Sequence, residues 1–219
     1  MSLLSHEELC DLVSAGVIRG VDVDAINAAS IDLHLGPDLL VESSSVPQDK
    51  ECIVRLAKKQ SLRFEKIVLE KGGEYCMAPG EFLLAHTVEK FHLPHDISCL
   101  YVLKSTLARA GLEHLHAGWC DAGWNDSVLT MEFKNVTSRH RLVLQEGMRI
   151  GQMIFFRHSR VPMKASYAAK GSYNGQASAV ATSGELPKGA SAIGKSSIGL
   201  GPSAIASGGM SFDELISGA

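Results

Sequence analysis

The sequence is short of aromatic side chains, which make up 6% of its 219 residues, and it has no surplus of positive charge: 21 Lys and Arg stand against 24 Asp and Glu, a formal net charge of -3. Without a net basic field there is little to hold a nucleic-acid backbone, so nucleic acid is not expected as a partner. No apolar run approaches the ~20 residues that span a bilayer, so no membrane segment is expected. The N-terminus carries Glu7 and Glu8 where a signal peptide carries positive charge and then an apolar stretch. The expectation is a soluble protein of the cytoplasm, or of a host cytoplasm if the source is viral. Five cysteines occur (Cys10, Cys52, Cys76, Cys99, Cys120) but no C-x-x-C pair, which argues against a disulfide scaffold and against a thiolate zinc site. His6-Glu7-Glu8 formally fits the H-x-E of zinc deaminases. Without a following P-C-x-x-C, that mechanism is excluded.

What is present suits one ordinary domain plus an appendage. Ser5-His6-Glu7-Glu8 has the form of a capping box, and Leu9, Leu12 and Val13 follow at helical spacing up to Gly16. A short N-terminal helix is therefore expected. From Ala25 onward, short apolar runs alternate with turn residues such as Gly36-Pro37, Gly72-Gly73 and Pro79-Gly80, a pattern of all-β sandwiches or barrels. Strands are expected at 31–35, 82–88, 97–103, 128–135, 142–144 and 148–156. One short helix near 104–110 interrupts them, closed by Gly111. In the strand at 128–135, Leu129, Met131 and Phe133 share one face while Val128, Thr130, Glu132 and Lys134 share the other. After Gln176 the composition changes: 25 of the 43 residues 177–219 are Gly, Ala or Ser. Such a segment buries too little apolar area to offset its ordering entropy. Residues 1–176 thus read as the domain and 177–219 as a tail, flexible on its own, with a closing lid at its start and with only 210–216 further on able to form an element.

The densest chemistry lies between Lys104 and Glu132. Lys104-Ser105-Thr106-Leu107-Ala108-Arg109 offers two cations and two hydroxyls at a helix start. It reads either as a phosphate cradle or as an ordinary capped helix. His114-Leu115-His116 puts two imidazoles on one face if extended, the beginning of a metal site or a pair of surface histidines. The Gly118-Trp119 and Gly123-Trp124 pairs flank Asp121, so the tryptophans either line a planar ligand or fill the core. Glu132 is a carboxylate within a good strand. It is either solvent-facing or buried, and burial would raise its pKa and make it a usable general base and acid.

Taken together, these segments resemble the dCTP deaminase family of the trimeric dUTPase-like superfamily. Ala29-Ser30-Ile31-Asp32-Leu33-His34-Leu35-Gly36 is similar to its S-x-D-L-R-L-G strand, with His34 where Arg is usual. The stretch Pro79-Gly80-Glu81 with Ala85-His86-Thr87 and Leu93-Pro94 is similar to P-G-E-…-A-x-T-…-L-P, and Lys104 to Leu112 to [RK]-S-S-L-[AG]-R-x-G-L. His116 to Trp124 resembles T-A-[GH]-x-I-D-[PA]-G-[FW], Glu132 to Asn135 resembles L-E-[LF]-x-N, and Glu146 to Gln152 resembles P-G-M-x-I-G-Q. Tyr173-Asn174-Gly175-Gln176 is similar to K-Y-x-x-Q, and the stretch from Asp121 to Glu132 is one residue longer than the family pattern, which calls for a bulge.

The resemblance implies a mainly-β, dUTPase-like distorted barrel or jelly-roll and metal-free hydrolytic deamination of dCTP at C4, giving dUTP and ammonia. It implies Glu132 as proton shuttle, Ser105 and the Ala117 carbonyl holding the water, and Arg109 orienting Glu132 or stabilising developing charge. Lys104, Ser105 and Thr106 go to the triphosphate and Asp121 to the deoxyribose 3′-hydroxyl. Trp124, Tyr167, Lys170, Tyr173 and Gln176 complete the base pocket and its lid. No catalytic cofactor is implied. Magnesium rides on the triphosphate, and the enzyme is a homotrimer with shared sites. A second reading is a bifunctional enzyme that carries dUTP on to dUMP and pyrophosphate, which Lys104 and the Ala117-Gly118 pair favour. A third is an inactive nucleotide-binding regulator on the same fold.

Overall fold

The computed structural model describes residues 1–45 and 53–182. The proposed tail element at 210–216, like all of 183–219, lies outside the described residues.

The capping box forms as read: the Glu8 carboxylate accepts the Ser5 N–H at 3.0 Å, and helix α1 runs His6–Ser14 with Leu9 and Leu12 buried. The strands in chain order are β1 Ser2–Leu3, β2 Ile18–Arg19, β3 Ile31–His34, β4 Asp38–Glu42, β5 Phe64–Val68, β6 Glu74–Met77, β7 Phe82–His92 and β8 Ile97–Leu103. Helix α2, Ser105–Arg109, follows, then β9 Leu112–Glu113, β10 Trp119–Cys120, β11 Asn125–Asn135, β12 Leu142–Gln145 and β13 Arg149–Arg157. A third helix, α3 at Tyr167–Lys170, was not expected from sequence, because a four-residue turn carries no periodicity. The mainly-β architecture is the one expected.

All the strand pairs are antiparallel. One sheet joins β10, β8, β13 and β1, with β3 also on β13; the other runs β5, β4, β7, β11, β9, with β2 also on β7; β6 and β12 pair separately. Leu33, Tyr101, Met153 and Phe155 from the first sheet share one core with Leu83, Phe91, Met131 and Phe133 from the second. Each such side chain contributes about 1.5–3 kcal/mol when fully buried.

Strand β7 continues to His92 rather than ending at 88 because the charges beyond are not all solvated. Glu89 is fully buried and accepts the backbone N–H of His34 and, at 2.7 Å, its Nδ1. A second buried carboxylate, Asp32, receives Lys104 Nζ at 2.8 Å on both oxygens and Asn27 Nδ2 at 3.0 Å. The strands at 38–42 and 64–68 were passed over because their short, charge-interrupted runs give no clear alternation.

The extra residue before Glu132 is absorbed at the start of β11. Asn125 pairs with His92 and Ser127 with Phe91, so Asp126 is extruded, with φ of 49°. From Thr130 to Lys134 the register against β7 is regular, and Glu132 sits opposite Leu84. The face expected to be apolar is buried at Leu129, Met131 and Phe133; Val128, assigned to the other face, is buried as well.

Where β13 crosses β8, Gly151 leaves space for a ring: a Cβ there would fall on the buried ring of Tyr101. Overpacking a dense core costs about 1–3 kcal/mol. Gly151→Ala is therefore expected to lower unfolding free energy by about that amount in urea titrations; an unchanged midpoint would show that the ring moves aside freely.

Candidate active site

Strand β11 and the chain that follows β13 enclose a cavity of about 580 Å³. Its lining includes Ala117, Trp124, Glu132, Tyr167, Tyr173 and Gln176, and Glu132 is the only charged group among the described lining residues. Each reaches the cavity for a local reason. Glu132 lies on the open face of β11, two residues beyond Thr130, which lines the same space. Ala117 is fixed by its neighbour: a Cβ on Gly118 would stand 2.5 Å from the Tyr101 carbonyl oxygen, and only glycine permits that crossing. The Gly118 carbonyl in turn accepts the Tyr101 N–H at 2.9 Å.

The two tryptophans differ in burial, and both border the cavity. Trp124, 4% exposed, stacks on Phe91 at 5.2 Å and also lines the cavity; Trp119, 53% exposed, stands at the rim and donates from Nε1 to Asp121 at 2.8 Å. The turn between them closes through a Trp124 N–H to Asp121 carbonyl bond and a left-handed Gly123 with φ of 87°.

One wall is a strap, residues 173–182, laid against β11. Trp124 Nε1 and Ser127 Oγ both donate to the Tyr173 carbonyl, Val128 N–H donates to the Gln176 carbonyl at 3.0 Å, and Val180 N–H donates to Thr130 Oγ1. Ala179 and Ala181 are buried against Leu84. The start of the Gly/Ala/Ser-rich stretch, where a closing lid is expected, thus lies against β11, and Val180 and Thr182 line the cavity.

The carboxyl of Glu132 is pushed above its ordinary 4.5 by burial, partly offset by its own backbone N–H. The neighbouring Tyr101 phenol has no hydrogen-bond partner among the described residues and is raised by burial first and by the Glu132 charge second.

The remaining expected site residues are elsewhere. Ser105, Thr106 and Arg109 are exposed on α2 and do not line the cavity. Lys104 is held by Asp32. Asp121 lines a smaller cavity of about 280 Å³ with Ser98, Trp119 and His158, and Lys170 is exposed at the end of α3. Residues that the sequence reading missed include Thr130, legible as a same-face neighbour of Glu132, and Val54, Leu56 and Leu62, which carry no local signal.

Residues 3–158 match a family model described as dCTP deaminase-like. The chain belongs to the dCTP deaminase-like family. A relative from Coprothermobacter proteolyticus, named dCTP deaminase, dUMP-forming, is 33% identical over 181 residues, covering 80% of this chain and 91% of its own. One of the same name from Persephonella marina is 31% identical over 176 residues, covering 80% and 92%. The crystal structure of 2′-deoxycytidine 5′-triphosphate deaminase from Agrobacterium tumefaciens shares the fold, with a TM-score of 0.54 at 20% identity over 69% of this chain and 46% of that one. In this dCTP deaminase-like chain Tyr167, Tyr173 and Gln176, which line the cavity, lie beyond the residues that the family model matches.

The raised pKa of Glu132 has a thermodynamic signature. A group whose folded pKa exceeds its unfolded value favours folding fully below the unfolded pKa and loses that contribution as pH rises through the folded one. Wild type is thus penalised at neutral pH relative to acid, and a neutral isostere is not. Glu132→Gln is expected to melt higher than wild type at pH 7, with the gap shrinking below pH ~4; a pH-independent gap would mean that the side chain is solvated.

Proposed function

We propose that the protein deaminates cytosine in dCTP by a Glu132-activated water and carries the product on to dUMP. The observation that supports this reading most directly is a single carboxylate of raised pKa in an otherwise uncharged, largely apolar and aromatic cavity. Attack on C4 needs a group that takes a proton from water, delivers it to N3, and later helps ammonia leave. A carboxylate of raised pKa serves all three steps, worth about 10²–10⁴ in rate. The carbonyl of Ala117, a residue that lines the cavity, is the second hold on the water. Net, one water replaces the exocyclic amine as ammonia. A second water then breaks the bond between the α- and β-phosphates, giving dUMP and pyrophosphate. The names of both relatives favour this dUMP-forming reading over the release of dUTP.

In this reading Trp124, Tyr167, Tyr173 and Gln176 hold the base and sugar, and Asp121 meets the 3′-hydroxyl at the rim. A cavity with one acidic group does not make a magnesium cage, so magnesium enters as part of the nucleotide, on phosphate oxygens. Nor does the cavity offer cations for a triphosphate. Arg109 supplies positive charge, and Ser105 and Thr106 hydroxyl donors, from the exposed surface of α2 to a neighbouring copy's cavity, and the working form is a homotrimer with shared sites. Lys104, engaged by Asp32, steadies the start of α2 unless substrate draws it away.

Product analysis tests the chemistry. With wild type and dCTP, ammonia, dUMP and pyrophosphate are expected in equal amounts, and accumulation of dUTP would overturn the second step. Glu132→Gln is expected to lower ammonia release about 10²–10⁴-fold while equilibrium binding of dCTP is kept. Full activity in that variant would sink the mechanism, and absence of turnover in wild type would favour a regulator. Shared sites predict complementation: co-expressed Glu132→Gln and Arg109→Ala chains, each inactive alone, should recover roughly a quarter of the wild-type rate, the fraction of neighbour pairs joining an intact Glu132 to an intact Arg109. No recovery would mean that each chain completes its own site.

A further inference from the structure

The turn between β9 and β10 carries three side chains that deamination leaves unused. Glu113, His114 and His116 each offer one ligand atom, all within 4.8 Å of one another, and they are the only such group of three among the described residues. Their arrangement is built. The Glu113 Oε1 accepts backbone N–H bonds from His114 at 2.8 Å and Leu115 at 3.1 Å, which orient the carboxylate. Two successive left-handed residues, Leu115 with φ of 54° and His116 with φ of 56°, fold His116 back over His114, with ring centroids 4.6 Å apart. His114 is 6% exposed and wedged edge-on against Tyr101 at 5.3 Å, whereas the His116 side chain is 81% exposed. One imidazole is therefore locked in place and the other faces water, leaving a path for a ligand.

The contact between His116 Nε2 and Glu113 Oε1, at 3.5 Å, is too open and too exposed to explain two left-handed non-glycine residues in a row. It does match the spacing of neighbouring ligands around a tetrahedral ion, about 3.3–3.4 Å for metal bonds of about 2.0–2.1 Å. Two imidazoles and one carboxylate suit zinc and ions like it, and not magnesium or calcium, which take oxygen donors. The backbone bonds to Glu113 play the orienting part that outer partners play for metal-bound carboxylates.

We propose that Glu113, His114 and His116 form a three-ligand site for a zinc-class divalent cation, with water in the fourth position. Because Ala117 follows directly, the bound ion clamps the turn that brings Ala117 to the cavity. The site is separate from any magnesium that accompanies the nucleotide, and it does not depend on the deamination reading.

Equilibrium dialysis of the metal-free full-length protein against cobalt(II) or zinc, followed by visible spectroscopy of the cobalt form, tests this. The expected result is one ion per chain, the intense bands of four-coordinate cobalt, and no displacement by millimolar magnesium. His116→Ala, at an exposed position, should weaken binding at least tenfold, and Glu113→Gln should weaken it too. Zinc should raise the melting temperature of wild type and not of His116→Ala. No uptake, pale six-coordinate cobalt spectra, displacement by magnesium, or undiminished binding in both variants would each overturn the proposal.

Discussion

The long antiparallel pair of β7 and β11 is the constraint on which the rest of the structure depends. It is imperfect in two places, and both imperfections are repaired locally. At its open end Asp126 is extruded in a left-handed conformation. Further along, between Val128 and Thr130, β7 carries the surplus residues, and the Leu129 N–H that would lose its partner donates to the buried Thr87 hydroxyl at 3.0 Å. The same hydroxyl donates to the Glu89 carbonyl. A buried donor left without a partner would cost about 1–3 kcal/mol, so Thr87 is what permits the irregular stretch and the regular register that follows. That register sets Glu132 toward the cavity and Met131 and Phe133 toward the core. A slip of one residue would exchange the two faces.

Much of this was legible in the sequence where the signal is local. Ser5 and Glu8 announce their helix because a capping box needs only four residues, and the alternation from Leu129 to Phe133 fixes the face of Glu132 without reference to any other strand. The reading ran out where partners are distant. Lys104 belongs to a motif of cations and hydroxyls, yet its ammonium answers Asp32, 72 residues away in sequence. His34 and Glu89 meet across 55 residues, and a strand that ends in charges looks finished unless that partner is known. The strap shows what composition leaves out: Ala179 and Ala181 belong to a stretch too small and polar to form a core alone, but two methyl groups against Leu84 and the bonds the strap makes to β11 suffice when a sheet is already there to receive them.

The separation between cavity and cations has a physical logic. Triphosphate recognition calls for positive charge, whereas a carboxylate that must hold a proton near neutrality is disarmed by it, since a cation within a few ångströms drives the pKa down. The chain resolves the conflict by distance. Lys104 is spent on buried Asp32 and Arg109 is carried on the exposed surface of α2, and the wall around Glu132 is made of rings, aliphatic groups, hydroxyls and amides. Within one chain, Glu132 therefore keeps its raised pKa with no cation among the described lining residues of the cavity.

The strap also sets an order of events during synthesis. Chains emerge from the ribosome N-terminus first and can begin to fold as they appear. Every strand of both sheets, Glu132 included, is complete by Arg157, but Tyr173, Gln176 and Val180 follow later. A nascent chain can therefore carry Glu132 on a formed sheet while the cavity still lacks one wall, and the pocket is enclosed only after Val180 has emerged.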